Sequence, residues 1–152
     1  MPGLLIIAHA PLASALKEVA RHAFPECTVS LEALDVRADM PVEQAEALAT
    51  ELLHRVLAPD AIVFTDVFGA TPCNIAQRIA ARPGVGQIKV ITGVNVPMLW
   101  RCLCYAHESI DAVAARALAG AAQGVMQLVV PRPQDQATKP GSHDSNQAHH
   151  QQ

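Results

Sequence analysis

Short unbroken apolar runs alternate along this chain with longer segments whose apolar residues recur three and four positions apart. That alternation is how βα repeats around a sheet buried on both faces announce themselves. Leu4 to Ala8 reads as the first strand, and Pro11 suits the first turn of a helix with the stripe Leu12, Leu16, Val19, Ala20 and Ala23. Cys27 to Leu34 reads as the second strand. Asp39, just ahead of Pro41, opens a helix whose buried stripe is Ala45, Leu48, Ala49, Leu52 and Val56, closed by Pro59. Asp60 to Thr65 is the third strand, after which Thr71 is a natural N-cap and Pro72 a natural first helical residue, with the helix running to about Arg82. Pro83-Gly84-Val85-Gly86 is a turn, Ile88 to Thr92 a fourth strand, and another helix follows from Pro97. The last helix spans about Ile110 to Gln123 and stops at Gly124, leaving Val125 to Val130 for a fifth strand at a sheet edge.

Parallel strands joined by helical crossovers give an α/β domain, an open and mainly parallel twisted sheet with helices on both faces, in the flavodoxin-like order 2-1-3-4. Residues 1–130 make up this domain. From 131 to 152 the chain turns to Gln, Pro, Ser, His and Asn with almost nothing to bury, so the tail is expected to be disordered.

Composition narrows the function classes. At 152 residues and 51% hydrophobic, the chain has the apolar surface for one core. Aromatic residues make up only 3%, and 11 Lys plus Arg stand against 14 Asp plus Glu, a formal charge of −3. Neither base stacking nor phosphate-backbone neutralisation is served, which excludes nucleic acid as a partner. The four cysteines form no disulfide framework or zinc knuckle, as expected of a reducing cytoplasm; Cys102 and Cys104 read as small core residues. The apolar start has no basic residue ahead of it and breaks too early for a signal peptide, and no run reaches the roughly 20 residues of a membrane span.

In open α/β sheets, reactive groups collect beyond the carboxyl ends of the strands. With strands one and three adjacent, the residues ending them, His9 and Asp66, are expected to meet. A carboxylate accepting N–H from one imidazole nitrogen fixes the tautomer and leaves the other nitrogen free to attack, which points to phosphoryl transfer. The amides opening the helices after Pro11 and Thr71, with the Thr71 hydroxyl, would receive the phosphoryl oxygens. No metal or cofactor is required. His22 and His54 fall on helices with no ligand triplet near them, and His143, His149 and His150 lie in the tail.

Three segments, Ile7-Ala8-His9, Asp66-Val67-Phe68-Gly69-Ala70-Thr71-Pro72-Cys73-Asn74 and Gly93-Val94-Asn95-Val96-Pro97-Met98-Leu99, together resemble the mannose-family enzyme IIA component of the bacterial phosphoenolpyruvate-dependent sugar phosphotransferase system (PTS). The resemblance implies that His9 accepts a phosphoryl group from the phosphocarrier protein HPr and passes it to a IIB component. It implies further that Asp66 orients His9 and that Thr71 belongs to the phosphate-contacting loop, with Ala10, Gly69 and Ala70 beside it. Phe68 is expected at the cleft or a partner's surface, and Asn95 and Pro97, which follow the fourth strand, either border the cleft or serve to start the next helix. A cytoplasmic homodimer recruited to a membrane permease is implied too, its edge strand antiparallel or exchanged between subunits. The family usually has glycine where this chain has Ala10 and Ala70, and glycine alone tolerates some backbone angles.

Rivals on the same fold are weaker. A receiver-like domain phosphorylated on Asp66 would need an acidic pair after the first strand to hold magnesium, and Ala8-His9-Ala10 stands there. A flavin module would need a Ser/Thr/Gly-rich phosphate loop and aromatics that are absent. A regulatory sensor of phosphorylation state, without sugar transport, is the alternative on the same residues.

Overall fold

The computed structural model describes residues 1–83 and 86–131. Among them the elements run β1 (Gly3–His9), α1 (Leu12–Ala23), β2 (Leu31–Val36), α2 (Val42–Val56), β3 (Ala61–Thr65), α3 (Thr71–Ala80), β4 (Ile88–Thr92), α4 (Val96–Cys104) and α5 (Ile110–Gly124). The sheet is open and wholly parallel, in the order β2-β1-β3-β4.

Successive side chains of a strand point to opposite faces, so the buried run of β1 feeds two cores. Leu4, Ile6 and Ala8 join Ile62 and Phe64 under α1, α4 and α5. Leu5 and Ile7 join Ala61 and Val63 under α2 and α3. The amino end of β1 runs so close to α2 that a Cβ on Gly3 would lie 1.9 Å from the Val56 carbonyl oxygen, and only glycine fits there.

Several expectations are corrected. The second strand starts at Leu31, four residues later than expected, and runs on through Asp35 and Val36 to pair with Ala8 and His9. Ahead of it the chain turns, with the Cys27 N–H donating to the Phe24 carbonyl at 3.1 Å, so Cys27 and Val29 pack on the core from outside the sheet. α1 buries Ala13, Leu16 and Ala20, while Leu12, Val19 and Ala23 are exposed. Two alanines on that face let the helix lie close to the sheet. α2 buries Leu53 in place of Leu48 and Leu52, which are half-buried, and Asp39 does not cap it but pairs with Arg37. Cys102 is buried, whereas Cys104 is exposed.

Val125 to Val130 forms no strand in this chain. The sheet ends at β4, and the segment leaves α5 as exposed, irregular chain, with Val129 92% exposed. The turn residues Gly84 and Val85 and the tail from 132 onward lie outside the described residues.

Candidate functional site

Ile7 of β1 pairs with Thr65, the last residue of β3, so β1 runs two residues past that pair and brings His9 beside Asp66 at the same edge of the sheet. One carboxylate oxygen, Asp66 Oδ2, is bonded at two points of the same residue. The His9 backbone N–H donates to it at 3.0 Å, and ring Nδ1 lies 2.7 Å away. Oδ1 accepts the Val67 N–H at 2.9 Å. A carboxylate cannot donate when ionised, so Nδ1 carries the proton and Nε2 keeps its lone pair. Nε2 has no protein partner among the described residues, and the His9 side chain is 53% exposed.

The Asp66 side chain is only 13% exposed. Burial by itself would raise its pKa, but the N–H groups of His9, backbone and ring, and of Val67 outweigh that and hold the carboxyl below its ordinary range. It is therefore anionic at neutral pH. Both oxygens are engaged by N–H groups, and among the described residues no cluster of acidic side chains able to hold magnesium stands beside Asp66, which disfavours the receiver-like reading.

His9, Ala10, Arg37 and Thr71 line a cleft of about 470 Å³. On one side stands the amino end of α3, where the loop Val67 to Ala70 turns through Gly69 at φ +82°. A Cβ at Gly69 would meet nothing within 4 Å, so glycine answers to the backbone angle there and not to crowding. Ala70 sits at φ −85°, ψ 169°, extended backbone open to any residue, so its methyl costs nothing in conformation. Ala70, and not Thr71, holds the capping position; Thr71 is the first helical residue and Pro72 the second, and no side chain caps this helix. The first-turn amides of Thr71 and Cys73 thus point out of α3 without intrahelical partners, while Pro72 has none to offer.

The amino end of α1 differs. Asp35, at the end of β2, accepts the Ser14 N–H at 3.1 Å and the Ser14 hydroxyl at 2.5 Å. A carboxylate from the neighbouring strand thus already holds the Ser14 amide and hydroxyl in the first turn of α1, whereas no side chain caps α3. Phe68 is 74% exposed beside the site, outside the cleft lining. The Asn95 carboxamide caps α4 by accepting the Met98 N–H at 3.0 Å, and Pro97 faces a different groove, shared with Phe24, Trp100 and Gly124. The loop before them packs onto the site backbone, Gly93 N–H donating to the Asp66 carbonyl at 3.1 Å.

Arg37 was not anticipated. Ending the second strand at Leu34 hides it, whereas continuation of β2 to Val36 sets Arg37 at the sheet's carboxyl edge. A cation directly after a strand end is the signal that would have found it. Among the described residues no cluster of His, Cys, Asp and Glu is arranged to hold a metal, and no helix is long and apolar enough to cross a membrane. Burial pushes the Cys102 thiol up to about 12, which makes it inert.

Comparison with solved structures places this architecture. The mannose/sorbose specific IIA subunit of the phosphotransferase system from Enterococcus faecalis superposes with a TM-score of 0.74 at 23% identity, over 86% of this chain and 97% of that one. Phosphotransferase system component EIIA from Streptococcus agalactiae gives 0.73 at 19% identity, over 84% and 97%. The PTS IIA protein associated with the fucose utilization operon of Streptococcus pneumoniae gives 0.69 at 20%, over 83% and 92%. No curated protein matches the chain. At these identities the superpositions speak to fold. The sequence itself matches the family described as PTS system fructose IIA component across residues 3–118, most of the folded part, and to that family the chain belongs.

Proposed function

We propose that this chain is a phosphoryl carrier that takes a phosphoryl group from phospho-HPr onto His9 Nε2 and hands it to a IIB component. The observation that carries the reading is the 2.7 Å contact between His9 Nδ1 and a largely buried, anionic Asp66, which leaves the opposite ring nitrogen exposed at a cleft. In the transfer, the Nε2 lone pair forms the new N–P bond as the donor's P–N bond breaks, and that electron pair returns to the donor's imidazole. The proton on Nδ1 stays where it is, and Asp66 stabilises the positive charge that the ring acquires. Thr71, through its hydroxyl and amide, and the Cys73 amide receive the phosphoryl oxygens at the positive end of α3. Ala10 and Gly69 shape the approach, and the exposed Phe68 meets the partner's surface. No metal or cofactor enters the step.

The protein acts in the cytoplasm as a homodimer, docking transiently on HPr and IIB, and reaches the membrane only through its partners. The sugar is set by those partners. Incubation with phosphoenolpyruvate, enzyme I and HPr labels the wild-type chain and leaves His9→Ala unlabelled; equal labelling of the two overturns the proposal.

A further inference from the structure

We propose that Arg37 is the cation that steadies the phosphoryl group on His9, held to one side by Asp39 until that group arrives. The proposal rests on His9 being the carrier residue. Val36 is the cross-strand partner of His9, and its carbonyl accepts the Ala10 N–H at 3.1 Å, so the backbone of the two strand ends is locked together where the cleft begins. Arg37 is the next residue, and among the described residues lining that cleft it alone carries a fixed charge. Its Nε donates to Asp39 Oδ1 at 3.0 Å, with side chains 60% and 77% exposed. The two terminal guanidinium nitrogens have no partner among the described residues.

The electrostatics of the site call for such a group. A phosphoryl group on a ring nitrogen brings close to two negative charges into a place where Asp66 already supplies one. The donors of α3 are neutral, and at the amino end of α1 the Ser14 amide and hydroxyl already hold a carboxylate, Asp35. An exposed Arg–Asp pair is weakly held, so a dianion in the same cleft competes well against a lone carboxylate for the guanidinium. The planar fork suits this exchange, because its outer nitrogens can meet phosphoryl oxygens in pairs while Nε lets go of Asp39. The Asp39 carboxyl lies below its ordinary range, first through its hydrogen bond with Arg37, so it is a charged competitor at neutral pH. Arg37 changes no bond in the transfer. It acts on how long and how fully His9 holds the group.

The test uses the full chain, equilibrated with phosphoenolpyruvate, enzyme I and HPr, with the phosphorylated share of His9 read by phosphorus NMR. Arg37→Gln is expected to lower the ratio of phosphorylated to free His9 about threefold, and Asp39→Asn, which releases the guanidinium, to raise it about twofold. The phosphoryl resonance is also expected to titrate at higher pH in Arg37→Gln than in wild type, a shift that a purely structural role would not produce. Arg37→Lys, with the charge but not the fork, should fall between. Equal occupancy and coincident titration curves for wild type and Arg37→Gln would overturn the assignment. If circular dichroism shows that Arg37→Gln has lost its fold, Arg37→Lys and Asp39→Asn decide the question in its place, unchanged occupancy in both counting against it. Failure of the wild type to be labelled, or labelling of His9→Ala, sinks the carrier reading itself and is distinct from either result.

Discussion

Replacing Asp66 with asparagine keeps the side chain's size and removes its charge. In the wild type Oδ2 accepts two N–H groups of His9, at 3.0 and 2.7 Å, and Oδ1 accepts a third from Val67 at 2.9 Å. A carboxamide has one acceptor oxygen. If that oxygen faces His9, its NH₂ confronts the Val67 N–H; if it faces Val67, the NH₂ confronts Nδ1, which must then give up its proton and place it on Nε2. The first arrangement loses one bond to a charged group and the second destroys the nucleophile. In the first arrangement Nδ1–H still has an acceptor but a neutral one, and losing the charge assistance as the ring becomes positive, worth about 1.5–3 kcal/mol, lowers the transfer rate roughly 10- to 100-fold. Quenched-flow transfer from phospho-HPr would read this directly. Stability carries a second signature. Because the folded carboxyl titrates below its unfolded value of about 3.9, its contribution is fully present above that pH and is lost as pH falls through the folded value. Thermal melts from pH 6 down into the acid range should therefore show a larger acid-side loss in wild type than in Asp66→Asn, which keeps only the share of the other carboxyls. Wild-type transfer rates in the variant, together with parallel melting profiles, would refute the reasoning.

Three further outcomes are expected. Asp35→Ala removes the carboxylate that caps α1 through Ser14 and should lower stability by about 0.5–2 kcal/mol in urea titrations, since no other side chain caps that helix. Gly3→Ala forces a methyl against the Val56 carbonyl and should cost about 1–3 kcal/mol or more, visible as a lowered melting temperature, because a backbone atom cannot step aside. Phe68→Ser, at a 74% exposed position, should leave stability within about 0.5 kcal/mol while slowing transfer from phospho-HPr. Labelling of that variant by phosphoramidate, a small donor with no docking surface, should be unchanged; equal slowing with both donors would count against a contact role for Phe68.

The sheet was readable because its central strands are buried on both faces and so appear as unbroken apolar runs, as at Leu4 to Ala8 and Ala61 to Thr65. Strand order then brings His9 and Asp66 together from positions 57 residues apart. What escaped was whatever depends on register or on small residues. Cys27 and Val29 look like strand but pack on the core from a turn, and Asp35 looks like loop yet pairs with Ala8 within β2, its charge met by Ser14. The face of α1 was misjudged because alanine is nearly neutral in periodicity, so Ala13 carried no signal against Leu12 and Val19. Thr71 has the chemistry of a cap, but the cap was decided by the backbone, which turns helical one residue earlier. The misplaced end of β2 also hid Arg37.

The double attachment of His9 to one oxygen of Asp66 removes the freedom of the imidazole to swivel about its own bonds. A ring so tethered has no swinging arm and presents a single nitrogen in a single direction. On the proposed carrier role, giver and receiver would then dock over the same spot and take turns there, so that cargo would move by the coming and going of whole molecules.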